Sequence, residues 1–109
     1  MGNYRSRLEI TADILNIASR NPKKTQIMYQ ANLSFKVLQK YLAELYEASL
    51  ICYQTDNQCY GLTDKGRQFI EEYKRYSKIN KHVEKVLSDA TVKKAKLERL
   101  FNQSQQVDS

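Results

Sequence analysis

The sequence contains no tryptophan, and among its 109 residues it has one proline (Pro22), one histidine (His82), two cysteines (Cys52 and Cys59) and three glycines. Each shortage removes a class of function. One imidazole and two thiols cannot supply the four ligands of a structural zinc site within one chain, so no metal is expected. Two cysteines make no disulfide framework, which favours a reducing, cytoplasmic location. The glycines form no phosphate-cradling loop, and His82 lacks a nearby Ser or Cys with which to build a nucleophilic pair. Neither an enzymatic activity nor a cofactor is expected. Apolar runs are short as well, and none approaches the roughly 18 residues needed to span a bilayer. The opening MGNYRSRLEI has no apolar core, so no signal peptide is expected. MGNYRS fits the loose N-myristoylation pattern, but its polar surroundings read as an ordinary helix start.

What is present describes a folded basic protein. Apolar residues make up 41% of the chain and eight tyrosines are among them, which argues against disorder. The formal charge of +6 and a pI near 9.3 point to a polyanionic partner. Residues 1–50 hold seven Lys/Arg against four acids, and residues 64–101 hold eleven against six. The charge is spread through both halves and is not a basic tail.

Periodicity divides the first half into three helices. Leu8, Ile14, Leu15 and Ala18, widened by Ile10 and Ile17, mark a core-facing stripe from Arg5 to Arg20. Asn21-Pro22 stops it, because the residue before proline is pushed out of the helical region. A short helix over about Lys24–Gln30 carries Ile27 and Met28, and Ala31-Asn32-Leu33 reads as a turn. Ser34 is an N-cap for a third helix running to about Ala48, with Leu38, Leu42 and Leu45 at spacings of four and three. Helix, short helix, three-residue turn and helix is the helix-turn-helix order.

Two β-prone runs follow, Ile51-Cys-Tyr-Gln and Cys59-Tyr-Gly-Leu62. With Asp56 and Asn57 as the turn residues, Ile51 faces Leu62 and Tyr53 faces Tyr60 on one side. Cys52, Gln54, Cys59 and Gly61 take the other side, and a one-residue slip would scramble both. That register sets Cys52 and Cys59 diagonally apart, which disfavours a disulfide. The hairpin is a wing.

Thr63 caps the last helix and Asp64 sits in its first turn. Every seventh residue from Phe69 is apolar: Phe69, Tyr76, Val83, Ala90 and Leu97. One register fills the seam with Tyr73, Asn80, Leu87, Lys94 and Phe101; the other adds Ile79, Val86 and Leu100 and takes in Lys93. Such a stripe argues for a coiled coil. A helix to about Phe101 would be roughly 55 Å long at 1.5 Å per residue, more than a small body can cover, so its outer half needs a partner. Asn80 and Lys94 either fix register or mark where the helix curves past the seam. Thr91-Val92, preceded by Ser88-Asp89, is a possible local break. The chain is expected to comprise a winged helix over 1–66, a dimerisation helix over 67–101 and a disordered tail over 102–109.

The outward face of the third helix would present Phe35, Lys36, Val37, Gln39 and Lys40. Lys36 and Lys40 lie one turn apart, suited to phosphates or guanine edges, and Gln39 could donate and accept at adenine. Phe35 is read as closing the core beneath the turn, the alternative being contact with thymine methyls. Lys23, Lys24 and Gln26 are placed to hold backbone phosphates, joined by Arg5 and Arg7. The wing offers Gln54, Asn57 and Gln58 with acidic Asp56 and no cation, so Lys65 and Arg67 just beyond it would compensate.

RSRLEITADIL, KKTQIMYQANLSFKVLQKYLAELYEASLI and YGLTDKGRQFIEEY together resemble a small archaeal winged-helix family founded on abundant ten-kilodalton DNA-binding proteins of Sulfolobus. The likeness covers most of residues 4–76. It implies homodimers joined by an antiparallel coiled coil with a winged helix at each end. It also implies DNA binding by the third helix, which falls on Ser34, Lys36, Gln39 and Lys40. Two features depart from the family: Ala48-Ser49-Leu50 replaces the common Lys/Ala-Gly turn, and the chain continues past the usual end of the coiled coil.

The expected function is therefore double-stranded DNA binding by a nucleoid-associated or transcription-regulating homodimer, without membrane association. The alternative is a winged helix used for protein–protein assembly. RNA is a lesser candidate, because its narrow A-form major groove excludes a recognition helix.

Overall fold

A computed structural model describes the backbone of residues 5–107 and the side chains of residues 5–103. Residues 1–4, and with them the MGNYRS lipidation pattern in part, lie outside the described residues, as do residues 108–109. The elements run α1 (Arg7–Ala18), α2 (Lys24–Gln30), α3 (Phe35–Glu47), β1 (Ile51–Gln54), β2 (Cys59–Leu62) and α4 (Asp64–Val107). The chain divides into two compact units, one ending at Lys74 and one beginning at Arg75.

Local chemistry sets the helix boundaries of the first unit. Ser6 begins α1 through a capping box: its hydroxyl accepts from the Glu9 N–H at 3.1 Å, while Glu9 accepts from the Ser6 N–H at 2.9 Å. The Ser-x-x-Glu spelling was readable in the sequence, and it moves the start from Arg5 to Arg7. Asn21 (φ 53°) and Asn32 (φ 55°) take the left-handed conformation after α1 and α2, which asparagine tolerates better than most residues. After α2, the Leu33 N–H returns to the Met28 carbonyl and the Asn32 N–H to that of Tyr29, a Schellman closure. The same closure ends α3, where Leu50 bonds back to Leu45 and Ser49 to Tyr46. Here the left-handed position is a serine (φ 61°), so the Ala48-Ser49-Leu50 corner makes a glycine-type turn without glycine.

The core lies between the three short helices and the hairpin. Ile14, Leu15, Ile27 and Leu38 are fully buried, surrounded by Ala18, Leu42, Leu45, Leu50, Ile51 and Ile70. Full burial of each large aliphatic side chain contributes about 1.5–3 kcal/mol. Leu8 does not join the stripe and stays 45% exposed. Phe69 packs on this core, so the first position of the heptad row belongs to the winged helix's own interior.

β1 and β2 pair antiparallel in the expected register: Ile51 with Leu62, Cys52 with Gly61, Tyr53 with Tyr60 and Gln54 with Cys59. The connection differs from the expected Asp56-Asn57 turn. Its left-handed residue is Gln58 (φ 54°), so 55–58 forms a four-residue loop in place of a turn with positive φ at both central residues. Both cysteines carry free thiols. The hairpin is pinned to the α1–α2 link by a bridge between Lys23 and Cys59 and by the Tyr60 N–H donating to the Pro22 carbonyl at 2.8 Å.

The Leu62-Thr-Asp-Lys-Gly66 run joins the wing to α4, and each of its last four residues has an identifiable task. Thr63 Oγ1 accepts from the Gly66 N–H at 3.0 Å, capping α4, and donates to the Ser49 carbonyl at 2.7 Å. Asp64 places a negative charge in the first turn. Lys65 Nζ donates to the Ala48 carbonyl at 2.7 Å. Gly66 allows the first turn of α4 to rest against the Leu50 carbonyl, where any Cβ would collide.

In the second unit α4 is continuous. The Thr91 hydroxyl donates to the Leu87 carbonyl at 3.0 Å, absorbing the β-branched pair without a break. The helix also runs through residues 102–107, where a frayed tail was expected; the glutamines there are good helix formers. Tyr76, Ile79, Val83, Val86, Leu87, Leu97 and Leu100 are each more than half exposed, and Ala90 is exposed as well. Among the described residues no helix is long and apolar enough to cross a membrane.

Candidate nucleic-acid interface

The candidate interface is the N-terminal half of α3 with the flank of α2 beside it. Leu38, Leu42 and Leu45 turn inward, and this spacing leaves Phe35, Lys36, Val37, Gln39 and Lys40 on the outer surface. Ser34 starts the helix by accepting from the Val37 N–H at 3.3 Å. As a hydroxyl it keeps its own proton to donate elsewhere. The positive end of the helix dipole lies here too, so both lysines reinforce the sign that an approaching anion meets.

Phe35 corrects the expectation of a core aromatic. It is 57% exposed, and its ring carries the Lys24 ammonium 4.3 Å from the centroid. The adjoining turn is closed instead by Leu33, partly buried against the core. Lys24 Nζ also donates to Gln39 Oε1 at 3.1 Å, which joins α2 to the outer face of α3. Lys23 caps α2 with its backbone: its N–H donates to Gln26 Oε1 at 2.8 Å, so the Gln26 side chain is engaged in the cap while the Lys23 ammonium stays at the surface.

Other expected contacts are engaged inside the protein. Arg5 pairs with Asp13 at 2.7 Å and donates to the Ala31 carbonyl at 2.7 Å, closing the C-terminal end of α2. Arg7 bonds Glu44 at 3.1 Å, and Lys65 caps α3 as described. Arg67 is exposed at the start of α4. Asn57 stands at the exposed wing tip, its carbonyl accepting from the Cys59 thiol at 3.3 Å. Arg5, Arg7 and Lys65 therefore separate from the Ser34, Lys36, Gln39 and Lys40 group.

The sequence reading placed Tyr53 opposite Tyr60 in the hairpin but gave the tyrosines no part in this face. Tyr53 and Tyr60 lie across the hairpin with ring centroids 5.0 Å apart. They wall a cleft of about 440 Å³ floored by Lys23, Lys24 and Thr25. A second cleft, of about 270 Å³, shares Lys24 and the two rings and reaches Gln39 and Tyr46. Burial, and then Tyr53 beside it, push the Tyr60 phenol above its ordinary pKa. The signal available beforehand was Tyr46, one heptad beyond Gln39 and therefore on nearly the same face. Among the described residues no group of three or more His, Cys, Asp or Glu is placed to hold a metal ion.

Comparison with known proteins agrees with this architecture. A crystal structure of Sso10a-2, a DNA-binding protein from Sulfolobus solfataricus, superposes with a TM-score of 0.72 at 26% sequence identity. The match covers 80% of this chain and 94% of that one. No curated protein sequence matched the chain. The resemblance read from residues 4–76 is thus upheld by the fold. The winged helix-turn-helix profile matches residues 4–81, and the chain belongs to the winged helix-turn-helix family.

Proposed function

We propose that the protein binds double-stranded DNA by inserting the N-terminal half of α3 into the major groove, as a homodimer joined through α4. The observation that carries this reading is the exposed run of Ser34, Lys36, Gln39 and Lys40 at a positively polarised helix start. Lys36 and Lys40 contact phosphates or guanine edges, Gln39 reads a base, and Lys23 holds the backbone beside them. Asn57 and Arg67 are secondary contacts. Similarity to a DNA-binding protein from Sulfolobus supports the assignment. Few outward residues are available for base reading, which favours nucleoid organisation over operator recognition and leaves a regulatory role as the second form of the same function.

Dimerisation rests on the apolar row. Phe69 and Tyr73 are half-buried within the first unit, whereas Tyr76, Ile79, Val83, Val86, Leu87, Ala90, Leu97 and Leu100 lie exposed along α4. That row becomes stable in water when a second copy covers it. Sedimentation equilibrium is expected to report a dimer, converted to monomer by Val83→Asp with Leu97→Asp.

Fluorescence anisotropy on a duplex over a salt series tests DNA binding. Affinity is expected to fall steeply with salt. Lys36→Ala with Lys40→Ala should lower the log–log slope by about 0.9 for each phosphate the variant leaves unneutralised. Absence of duplex binding at low salt would refute the proposal and favour a protein–protein assembly module.

A further inference from the structure

Lys24 was expected to hold a phosphate, yet its ammonium is held twice within the protein: by Gln39 Oε1 at 3.1 Å and over the Phe35 ring at 4.3 Å. An ammonium has three donors and no acceptor. The amide atom facing it must therefore be the oxygen, and Gln39 Nε2 with its two N–H donors turns away from Lys24. The Phe35 ring holds the ammonium at the outer face of α3. Lys24 is partly buried there, and Gln39 is exposed.

The orientation of that amide decides which base edge it fits. A glutamine that reads adenine donates to N7 and accepts from the N6 amine through its own oxygen. Here the oxygen is engaged by a cation, and a charge-assisted bond is roughly twice as strong as a neutral one. The oxygen keeps a second lone pair, but an adenine amine reaching it would turn its positive N–H groups towards the Lys24 ammonium already bound there. The face that Gln39 and Lys24 present together is therefore one of donors and positive charge, and the purine edge with acceptors alone is guanine, at O6 and N7. We propose that Lys24 is a positioning residue that fixes the Gln39 amide, so that the protein reads guanine and not adenine opposite Gln39. The inference rests on the duplex-reading function proposed above.

The test is selection of bound fragments from a random duplex pool by the full chain, by Lys24→Met and by Lys24→Arg. Titration of paired duplexes carrying guanine or adenine at the selected position follows. Methionine keeps an unbranched side chain and removes the donor; arginine keeps the donor. The unaltered protein is expected to favour guanine by about five- to a hundredfold, Lys24→Met to fall within about twofold or favour adenine, and Lys24→Arg to retain the preference. Adenine selected by the unaltered protein would overturn the assignment, as would a guanine preference that Lys24→Met leaves intact. Duplex binding that is steeply salt-dependent but has no base preference altered by Lys24→Met sinks the Lys24 role alone. No binding at low salt sinks the duplex reading itself.

Discussion

Replacing Gly66 by alanine should destabilise the winged helix, although Gly66 lies within a helix. In an open helix, Gly→Ala is stabilising by about 0.5–1 kcal/mol. At Gly66 the added methyl would fall 2.6 Å from Leu62 Cδ1, deep inside contact with the Leu50 carbonyl oxygen and 3.3 Å from its carbon. The leucine methyl could rotate away; the carbonyl cannot, because Leu50 sits in the closing turn of α3 and its oxygen accepts from the Thr63 N–H at 3.3 Å. Overpacking of this kind costs about 1–3 kcal/mol. Withdrawal of the α4 start would also loosen the Thr63 cap, worth about 1 kcal/mol. After the propensity gain, a net loss of about 2 kcal/mol remains. For a unit of this size that lowers Tm by roughly 8–16 °C. Denaturant and thermal unfolding followed by tyrosine signals of the first unit would measure it. An unchanged or raised Tm would show that α4 does not seat on Leu50 as described.

Three further outcomes follow from the same geometry. Ser49→Gly should stabilise by about 1 kcal/mol, since a non-glycine left-handed residue costs roughly 1–2 kcal/mol; a lower unfolding midpoint would contradict this. Arg5→Ala should lower stability by about 1–2 kcal/mol through loss of charged bonds to Asp13 and the Ala31 carbonyl. It should leave the salt slope of DNA binding unchanged, and a reduced slope would place Arg5 on a phosphate instead. Phe35→Ala should cost less than about 1 kcal/mol, against the 3–5 typical of a buried phenylalanine; a loss in the larger range would return Phe35 to the core.

Features governed by near neighbours were legible in the sequence. The α2 bounds, the Ser34 and Thr63 caps and the pairing of Ile51 with Leu62 all emerge from spacing, because alternation leaves a four-residue strand one register that keeps its faces apart. Features decided by distant groups were hidden. Nothing near Arg5 in sequence announces the Ala31 carbonyl, and nothing near Lys65 announces that of Ala48. A surface lysine and a lysine capping another helix are spelled alike. Phe35 failed for a related reason: an aromatic beside a turn defaults to the core on hydrophobicity, while cation–π contact with Lys24 lets it remain at the surface.

Charge is partitioned along α3, and this bears on how one helix could meet a duplex. Lys36 and Lys40 occupy its first half; Glu44 and Glu47 occupy its second, with Glu44 held to Arg7. Laid lengthwise in a groove, the helix would bring both acids towards phosphates, so the field favours insertion by the N-terminal end. That geometry brings few cations to the backbone, and the hairpin loop 55–58 adds none. A single winged helix therefore has a shallow electrostatic grip, with each phosphate neutralised contributing only about 0.9 to the salt slope. Joining two such modules through α4 makes the second contact intramolecular and raises avidity by orders of magnitude without further cations. In the proposed dimer the long helix is thus part of the DNA-binding apparatus, and Val83→Asp with Leu97→Asp should weaken duplex binding even though both residues lie outside the winged helix.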